Sequence, residues 1–276
     1  MTIDMTDELA DLALGAARLA ADLIRGRKAD GVSVAATKTS DVDIVTEADR
    51  AAEALIRDTI RARRPDDAFL GEEGDDEEGT TGVRWVIDPI DGTVNFLYGL
   101  PNYAVSIAAE VDGEAVAGVV LNVVTRTEYV ARSQDGHLVA LRDGRQIGVR
   151  DQAPLSHRLI ATGFSYDREV RVLQAEAASR LLPHIRDLRR LGSCALDLCL
   201  VADGSLDGYV EEGVNLWDHA AGGLIARTAG ATTRLGTGVG GMTLLVCGPA
   251  HGFEELHAAV VDAGFAAPGT ITERGE

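Results

Sequence analysis

Residues 85–96 read WVIDPIDGTVNF. Three apolar residues run into Asp88, Pro89 fixes the next position, a second acid follows at Asp91, and Gly92 and Thr93 come directly after it. An ionised carboxylate at the end of an apolar run is unfavourable unless positive charge compensates it, and a metal ion is one such partner. The residue before a proline is pushed toward extended geometry, so Asp88 is predicted to close a strand with its carboxylate projecting from the strand end. Asp91 lies three residues on, where a turn brings its carboxylate beside that of Asp88, with the Ile90 carbonyl between them as another hard oxygen. Gly92 and Thr93 supply backbone amides near a helix start, an arrangement that receives a phosphate. The plain alternative is that Asp88 and Asp91 are turn residues, since Asp and Pro both favour turns.

Two further acidic units stand apart from this one. The stretch LGEEG places Glu72 and Glu73 after the apolar pair Phe69-Leu70, and NLWDHAAG puts Asp218 at a predicted helix start. Carboxylates from three separate segments are what a two-metal phosphoryl-transfer site requires. Each has a structural alternative: a solvated acidic loop for Glu72 and Glu73, a helix N-cap for Asp218, and a capping box for Thr46 with Asp49. Trp217 reads as core, and His219 as a structural or surface histidine.

Composition narrows the classes. Forty-six per cent of the 276 residues are hydrophobic, enough for a sizeable core. Acidic residues number 44 against 26 basic, a net charge of −18 that disfavours nucleic acid and anionic membranes, so an anionic substrate needs a bound cation to offset repulsion. With Lys28 and Lys38 the only lysines, Schiff-base chemistry has little support. Three cysteines without a CxxC pair fit a reduced, cytoplasmic setting. The N-terminus is acidic where a signal peptide is basic, and no apolar run reaches membrane-spanning length. The stretch GTGVGG at 236–241 satisfies GxGxxG but leads into a predicted strand rather than a helix, and is read as a flexible loop.

Periodicity predicts helices over 6–28 and 46–64, then an antiparallel meander between Trp85 and Val149 with turns at Asp112-Gly113, Asp135-Gly136 and Asp143-Gly144. Beyond Pro154 the pattern alternates: a strand at LIATG, helices near 168–188 and 194–203, a strand at DGYVEE, a helix near 218–229 and a strand at TLLVCG. The expected division is 1–152, carrying metal and phosphate groups, and 153–276, adding substrate contacts and one metal ligand.

The successive stretches DVDIVTEAD, GEEG, WVIDPIDGTVNF and LWDHAAG resemble, in order and spacing, the signature motifs of the inositol monophosphatase family, Mg²⁺-dependent, lithium-sensitive phosphatases. The likeness runs from about residue 35 to 235. It implies an α/β fold, an α-β-α-β-α sandwich with an antiparallel N-terminal sheet and a second mixed sheet, in a homodimer. It assigns Glu72, Asp88 and the Ile90 carbonyl to one metal, and Asp88, Asp91 and Asp218 to a second. A third, looser Mg²⁺ leans on Glu72. Asp49 and Thr93 match the pair that orients and deprotonates the attacking water, Gly92 and Thr93 match the phosphate-binding amides, and Asp91, Gly192, Ser193, Cys194 and Glu211 fall at the polyol contacts. Two departures stand out: Cys194 occupies a position where alanine is common, and the 236–241 loop differs.

The implied reaction is hydrolysis of myo-inositol monophosphate by direct in-line attack of water. Sister activities on histidinol phosphate, fructose 1,6-bisphosphate or 3′-phosphoadenosine phosphates share the scaffold, and a metal-binding regulatory module is the non-enzymatic alternative. A small phosphate ester, rather than nucleic acid or membrane, is the expected partner. Glu211 offers acceptors to substrate hydroxyls, whereas Glu212 is expected on the other face of its strand and solvated.

Overall fold

The computed structural model describes residues 3–30, 34–37 and 44–267. Helix α1 (Ile3–Asp30) is followed by a short antiparallel pair, β1 (Val34–Thr37) and β2 (Ile44–Thr46), and by α2 (Glu47–Arg61). Motif residues 41–43, Lys38 and the side chain of Thr46 lie outside the described residues. A seven-stranded sheet then forms in sequential order from β3 (Ala68–Gly71), β4 (Val83–Asp91), β5 (Ala104–Val111), β6 (Glu114–Asn122), β7 (Glu128–Gln134), β8 (His137–Arg142) and β9 (Arg145–Gln146), with helix α3 (Thr93–Tyr98) between β4 and β5. The meander is antiparallel from β4 to β9, but β3 pairs parallel with β4, so the first sheet is mixed at that edge rather than wholly antiparallel.

The second half contributes β10 (Leu159–Thr162), α4 (Arg168–Leu181), β11 (Asp187–Arg189), α5 (Cys194–Ala202), β12 (Gly208–Glu212), α6 (Leu216–Thr228), β13 (Ala231–Thr237), β14 (Thr243–Pro249) and α7 (Phe253–Ala263). Its five strands lie in the order β11-β10-β12-β14-β13, with β10 parallel to both neighbours and β14 antiparallel to both of its own. The helix expected near 168–188 stops at Leu181, because Pro183 has no amide to continue the ladder, and residues 187–189 become an edge strand. Strand β13 has no clean apolar alternation because it is an edge strand with much of its length exposed. Helix α7 does carry a periodic buried set, Phe253, Leu256, Val260 and Ala263.

Five layers result. Helices α1 and α2 cover the outer face of the first sheet, α5 and α6 lie between the sheets, and α4 and α7 cover the outer face of the second. The buried stripe of α1 is Leu9, Ala13, Ala16, Ala17, Ala20 and Ile24, whereas Leu19 is exposed and Leu12 and Leu23 are only half-buried. Alanine rather than leucine faces the sheet because a small side chain lets the helix backbone approach closely. The middle layer is tighter still. A Cβ on Gly118 of β6 would stand 3.1 Å from the Ala221 carbonyl oxygen of α6, and one on Gly222 would stand 3.0 Å from that of Ala195 on α5. The AAG of the WDHAAG stretch is therefore a packing requirement that brings the α6 N-terminus down to the first sheet. Among the described residues, no helix is long and apolar enough to cross a membrane.

Glu212 departs from the solvated position expected of it. It does face away from Glu211, but it is 2% exposed. Its Oε1 accepts from the amides of Gly240 (2.7 Å) and Met242 (3.2 Å), and its Oε2 accepts from Gln174 Nε2 (3.0 Å). Gln174 Oε1 in turn accepts the Ser165 amide at 2.8 Å. A side chain on Gly238 would collide with this carboxylate and one on Gly240 with Val170, so GTGVGG is a loop pinned by a buried acid and not a free one. Glu212→Ala strands two amides and a glutamine donor in the interior, and at roughly 1–3 kcal/mol for an unsatisfied buried group it should lower unfolding free energy by about 3 kcal/mol. Glu212→Gln, which keeps one acceptor oxygen, should lose less. Urea denaturation of the two variants checks this; an alanine variant as stable as the wild type would refute the buried anchor.

Candidate active site

Strand β4 does not end at Asp88. It continues to Asp91 with one extra residue, since Asp88 pairs with Ser106 and Asp91 with Ala104: three steps on one strand oppose two on the other. In a regular strand, residues three apart point to opposite faces. The bulge cancels that inversion and turns both carboxylates toward α5 and α6, while Ile90, fully buried, faces the outer core. Pro89, which has no amide for a ladder, sits within this irregularity, where a strand tolerates it. Gly92 then adopts φ 97°, and a Cβ there would meet the carbonyl oxygens of Asn102 at 2.8 Å and Gly192 at 3.0 Å, so only glycine can turn the chain into α3. Thr93 Oγ1 donates to the Ile90 carbonyl at 3.1 Å. Asn95 fastens the same turn to the next segment, donating through Nδ2 to the carbonyls of Asn102 and Leu191.

Asp91 rests on the N-terminus of α5. Its Oδ2 accepts from Ser193 Oγ (2.5 Å) and the Ala195 amide (2.7 Å), and its Oδ1 from the Cys194 amide (3.3 Å). Ser193, the α5 N-cap, is buried against this carboxylate, while Gly192 and Cys194 line the neighbouring cavity. Asp218 reaches the site from the first turn of α6. The N-cap there is Asn215 rather than Asp218, and the Asn215 amide donates to Asp218 Oδ2 at 2.6 Å, which holds the carboxylate in place. One oxygen from each of Asp88, Asp91 and Asp218 lies within 4.8 Å of the others.

These acids, with Glu72 from the segment after β3, open into a cavity of about 380 Å³. Burial, and after it the charges of Glu72, Asp91, Asp218 and Asp49, pushes the Asp88 carboxyl well above the usual carboxylate range. Burial raises Asp91 to about 7, against the lowering effect of its bonds to Ser193 and Ala195. Asp218 is pushed well up by burial and by Asp91. Asp49, 1% exposed in the first turn of α2, adds to the field at Asp88. Glu211 stands at the end of β12 on the cavity wall; burial raises its carboxyl, and Tyr209 Oη donates to its Oε2 at 2.7 Å. Clustered acids whose charged forms are all disfavoured mark a site made for a cation. A hard divalent ion fits the donors present, which are carboxylate and carbonyl oxygens, and Asp88 Oδ1, buried, has no hydrogen-bond partner among the described residues.

Among the cavity-wall residues that the sequence reading missed are Phe164, Tyr166 and Arg190. Arg190 is the only basic side chain there among the described residues, and it makes no ion pair or hydrogen bond with them. Nothing local distinguishes it within the Arg-rich run 186–190. Trp217 lines the cavity half-buried, and its carbonyl accepts from Ser106 Oγ. Burial and Arg227 push His219 down to about 4, so it is neutral near pH 7.

Residues 5–263 match the model of the inositol monophosphatase family. The chain is 46% identical over 258 residues to the inositol-1-monophosphatase SuhB of Mycobacterium tuberculosis, covering 87% of this chain and 89% of that one. It is 38% identical over 222 residues to the Nus factor SuhB of Escherichia coli, covering 80% and 82%. The solved structure of Mycobacterium tuberculosis SuhB superposes with a TM-score of 0.79 at 40% identity, covering 95% of this chain and 99% of that one. The chain belongs to the inositol monophosphatase family and is an enzyme, a phosphoric monoester hydrolase.

Proposed function

We propose that this enzyme is a Mg²⁺-dependent phosphomonoesterase that hydrolyses myo-inositol monophosphate to inositol and phosphate by direct in-line attack of water. The observation that carries the reading is the convergence of Asp88, Asp91 and Asp218 within 4.8 Å at the floor of an acid-lined cavity. Glu72, Asp88 and the Ile90 carbonyl would hold one ion, and Asp88, Asp91 and Asp218 a second, with a third leaning on Glu72. Bound there, Mg²⁺ supplies Lewis-acid charge that offsets the phosphoryl oxygens and the departing alkoxide. The backbone amides of Gly92 and Thr93 receive the phosphate. Thr93 Oγ1 and Asp49 orient the attacking water, and Asp49 accepts its proton. Asp91, Gly192, Ser193, Cys194 and Glu211 shape the polyol end. Tyr209 occupies one oxygen of Glu211, and the other accepts no hydrogen bond among the described residues, which leaves it for a substrate hydroxyl.

Arg190 favours a second reading of the substrate. A lone guanidinium in an otherwise acidic wall suits an ester with a second anionic group, such as fructose 1,6-bisphosphate. Lithium sensitivity and a two-fold homodimer belong to the same reading. For the dimer, Leu100 and Val124 are exposed apolar side chains on loops joined by the Asn122 to Pro101 hydrogen bond. Three buried free cysteines suit a reducing cytoplasm.

Phosphate release from a panel of these esters, with Mg²⁺ and with chelator, tests the function. Activity should vanish with chelator, and Asp88→Asn should cut it by roughly a hundredfold or more, because this carboxylate would serve both ions. A folded Asp88→Asn protein with near-normal turnover would sink the two-metal reading. Glu211→Gln should lower kcat/KM for inositol phosphate while sparing an aryl phosphate that lacks the hydroxyls. Equal losses on both would instead place Glu211 among the groups that serve the chemistry.

A further inference from the structure

Helix α2 carries two buried polar side chains that take no part in the chemistry proposed above. Asp49, Glu53 and Arg57 recur at four-residue spacing, so they stack along one face of the helix, and they are 1%, 2% and 6% exposed. A carboxylate and a guanidinium at that depth are unfavourable unless they are paired and their remaining hydrogen-bonding groups are satisfied. Arg57 Nε donates to Glu53 Oε1 at 2.8 Å, and Nη2, which makes no hydrogen bond among the described residues, stands 2.8 Å from the same oxygen, so the two charges neutralise each other.

Their other partners all lie on the segment that carries Glu72. Glu53 Oε2 accepts the Glu73 amide at 2.8 Å, and its Oε1 accepts the Gly74 amide at 3.0 Å. Arg57 Nη1 donates to the Asp75 carbonyl at 3.0 Å and to Glu77 Oε1 at 2.9 Å. The fit leaves no room for a side chain: a Cβ on Gly74 would stand 2.7 Å from Glu53 Oε1 and 3.0 Å from Arg57 Nη2, and one on Gly71 would run into both residues. Contact with this ion pair therefore explains the glycines that flank Glu72 and Glu73. The pair matters electrically as well. An unpaired carboxylate at residue 53 would add repulsion to a site already crowded with acids, whereas one neutralised by Arg57 offers acceptors to backbone amides without adding net charge.

We propose that Glu53 and Arg57 are positioning residues for cation binding: they fix the segment after β3 so that Glu72 stands opposite Asp88, on the same helix that presents Asp49. The proposal rests on the reading of Glu72 as a cation ligand. Its test is calorimetric titration of the metal-stripped full-length protein with Mn²⁺, alongside thermal melting. Glu53→Gln keeps the volume but loses one acceptor oxygen and the pairing charge. It should weaken Mn²⁺ binding about tenfold, the usual effect of removing a group that orients a ligand, while kcat at saturating metal changes much less. Gly74→Ala, which leaves the pair in place and wedges the segment away from it, should weaken binding in the same direction. Glu72→Gln is the control. If it loses affinity while folded Glu53→Gln and Gly74→Ala bind as the wild type does, the positioning role is overturned; if Glu72→Gln also binds normally, the ligand reading falls with it. Hydrogen exchange on the wild type decides the matter even where a variant does not fold. The Glu73 and Gly74 amides should be protected in the metal-stripped protein, and exchange at the rate of an unstructured chain would overturn the proposal.

Discussion

One inserted residue in β4 sets the geometry of the acid cluster on which the rest of the site is built. Without the bulge between Asp88 and Asp91, these acids would point to opposite faces of the first sheet, one toward the site and one into the apolar layer under α1 and α2. With it, both carboxylates face the middle layer, and Ile90 fills the outer core in their place. The bulge also determines what must follow: a left-handed Gly92 that lets the chain pass between the carbonyls of Asn102 and Gly192 and start α3.

The remaining architecture delivers distant groups to those two acids, and it does so through backbone amides and close helix packing more than through salt bridges. The first turn of α5 seats Asp91 with two amides and a serine hydroxyl. Small residues at Gly118, Ala221 and Gly222 let α6 lie against both β6 and α5, which sets the height at which Asp218 enters. Buried acids then hold the surrounding loops, Glu53 the segment after β3 and Glu212 the hairpin after β13. The site is thus an acid cluster of high electrostatic tension held by a shell of satisfied polar groups. Burial and mutual repulsion push its carboxyls upward, a penalty on the charged forms that a bound cation would offset.

Much of this was legible in the sequence, and for a definable reason. Asp88, Ile90, Asp91, Gly92 and Thr93 lie within six consecutive residues, so their proximity is local and their pattern of apolar run, acid, proline, acid and glycine states its own chemistry. The helices and the meander carry local periodicity and could be read directly, whereas the layered α/β arrangement came from the family resemblance of the motifs. Pairing direction, register and burial of charge are different in kind, because they depend on residues far away along the chain. The parallel pairing of β3, the bulge itself, the burial of Glu212 under an amide pair 28 and 30 residues on, and Arg190 on the cavity wall have no local signature. Helical periodicity alone did not show that the buried face of α1 is made mostly of alanines, since which face is buried depends on how closely the helix meets the sheet. By itself the sequence singled out Glu72, Asp88, Asp91 and Asp218 as candidate cation ligands on three acidic motifs. The tertiary structure alone decided that three carboxylates from separate elements would stand within 4.8 Å, because an arrangement of like charges that close is unfavourable for any local segment and persists only where the packing of two sheets and the layer between them enforces it.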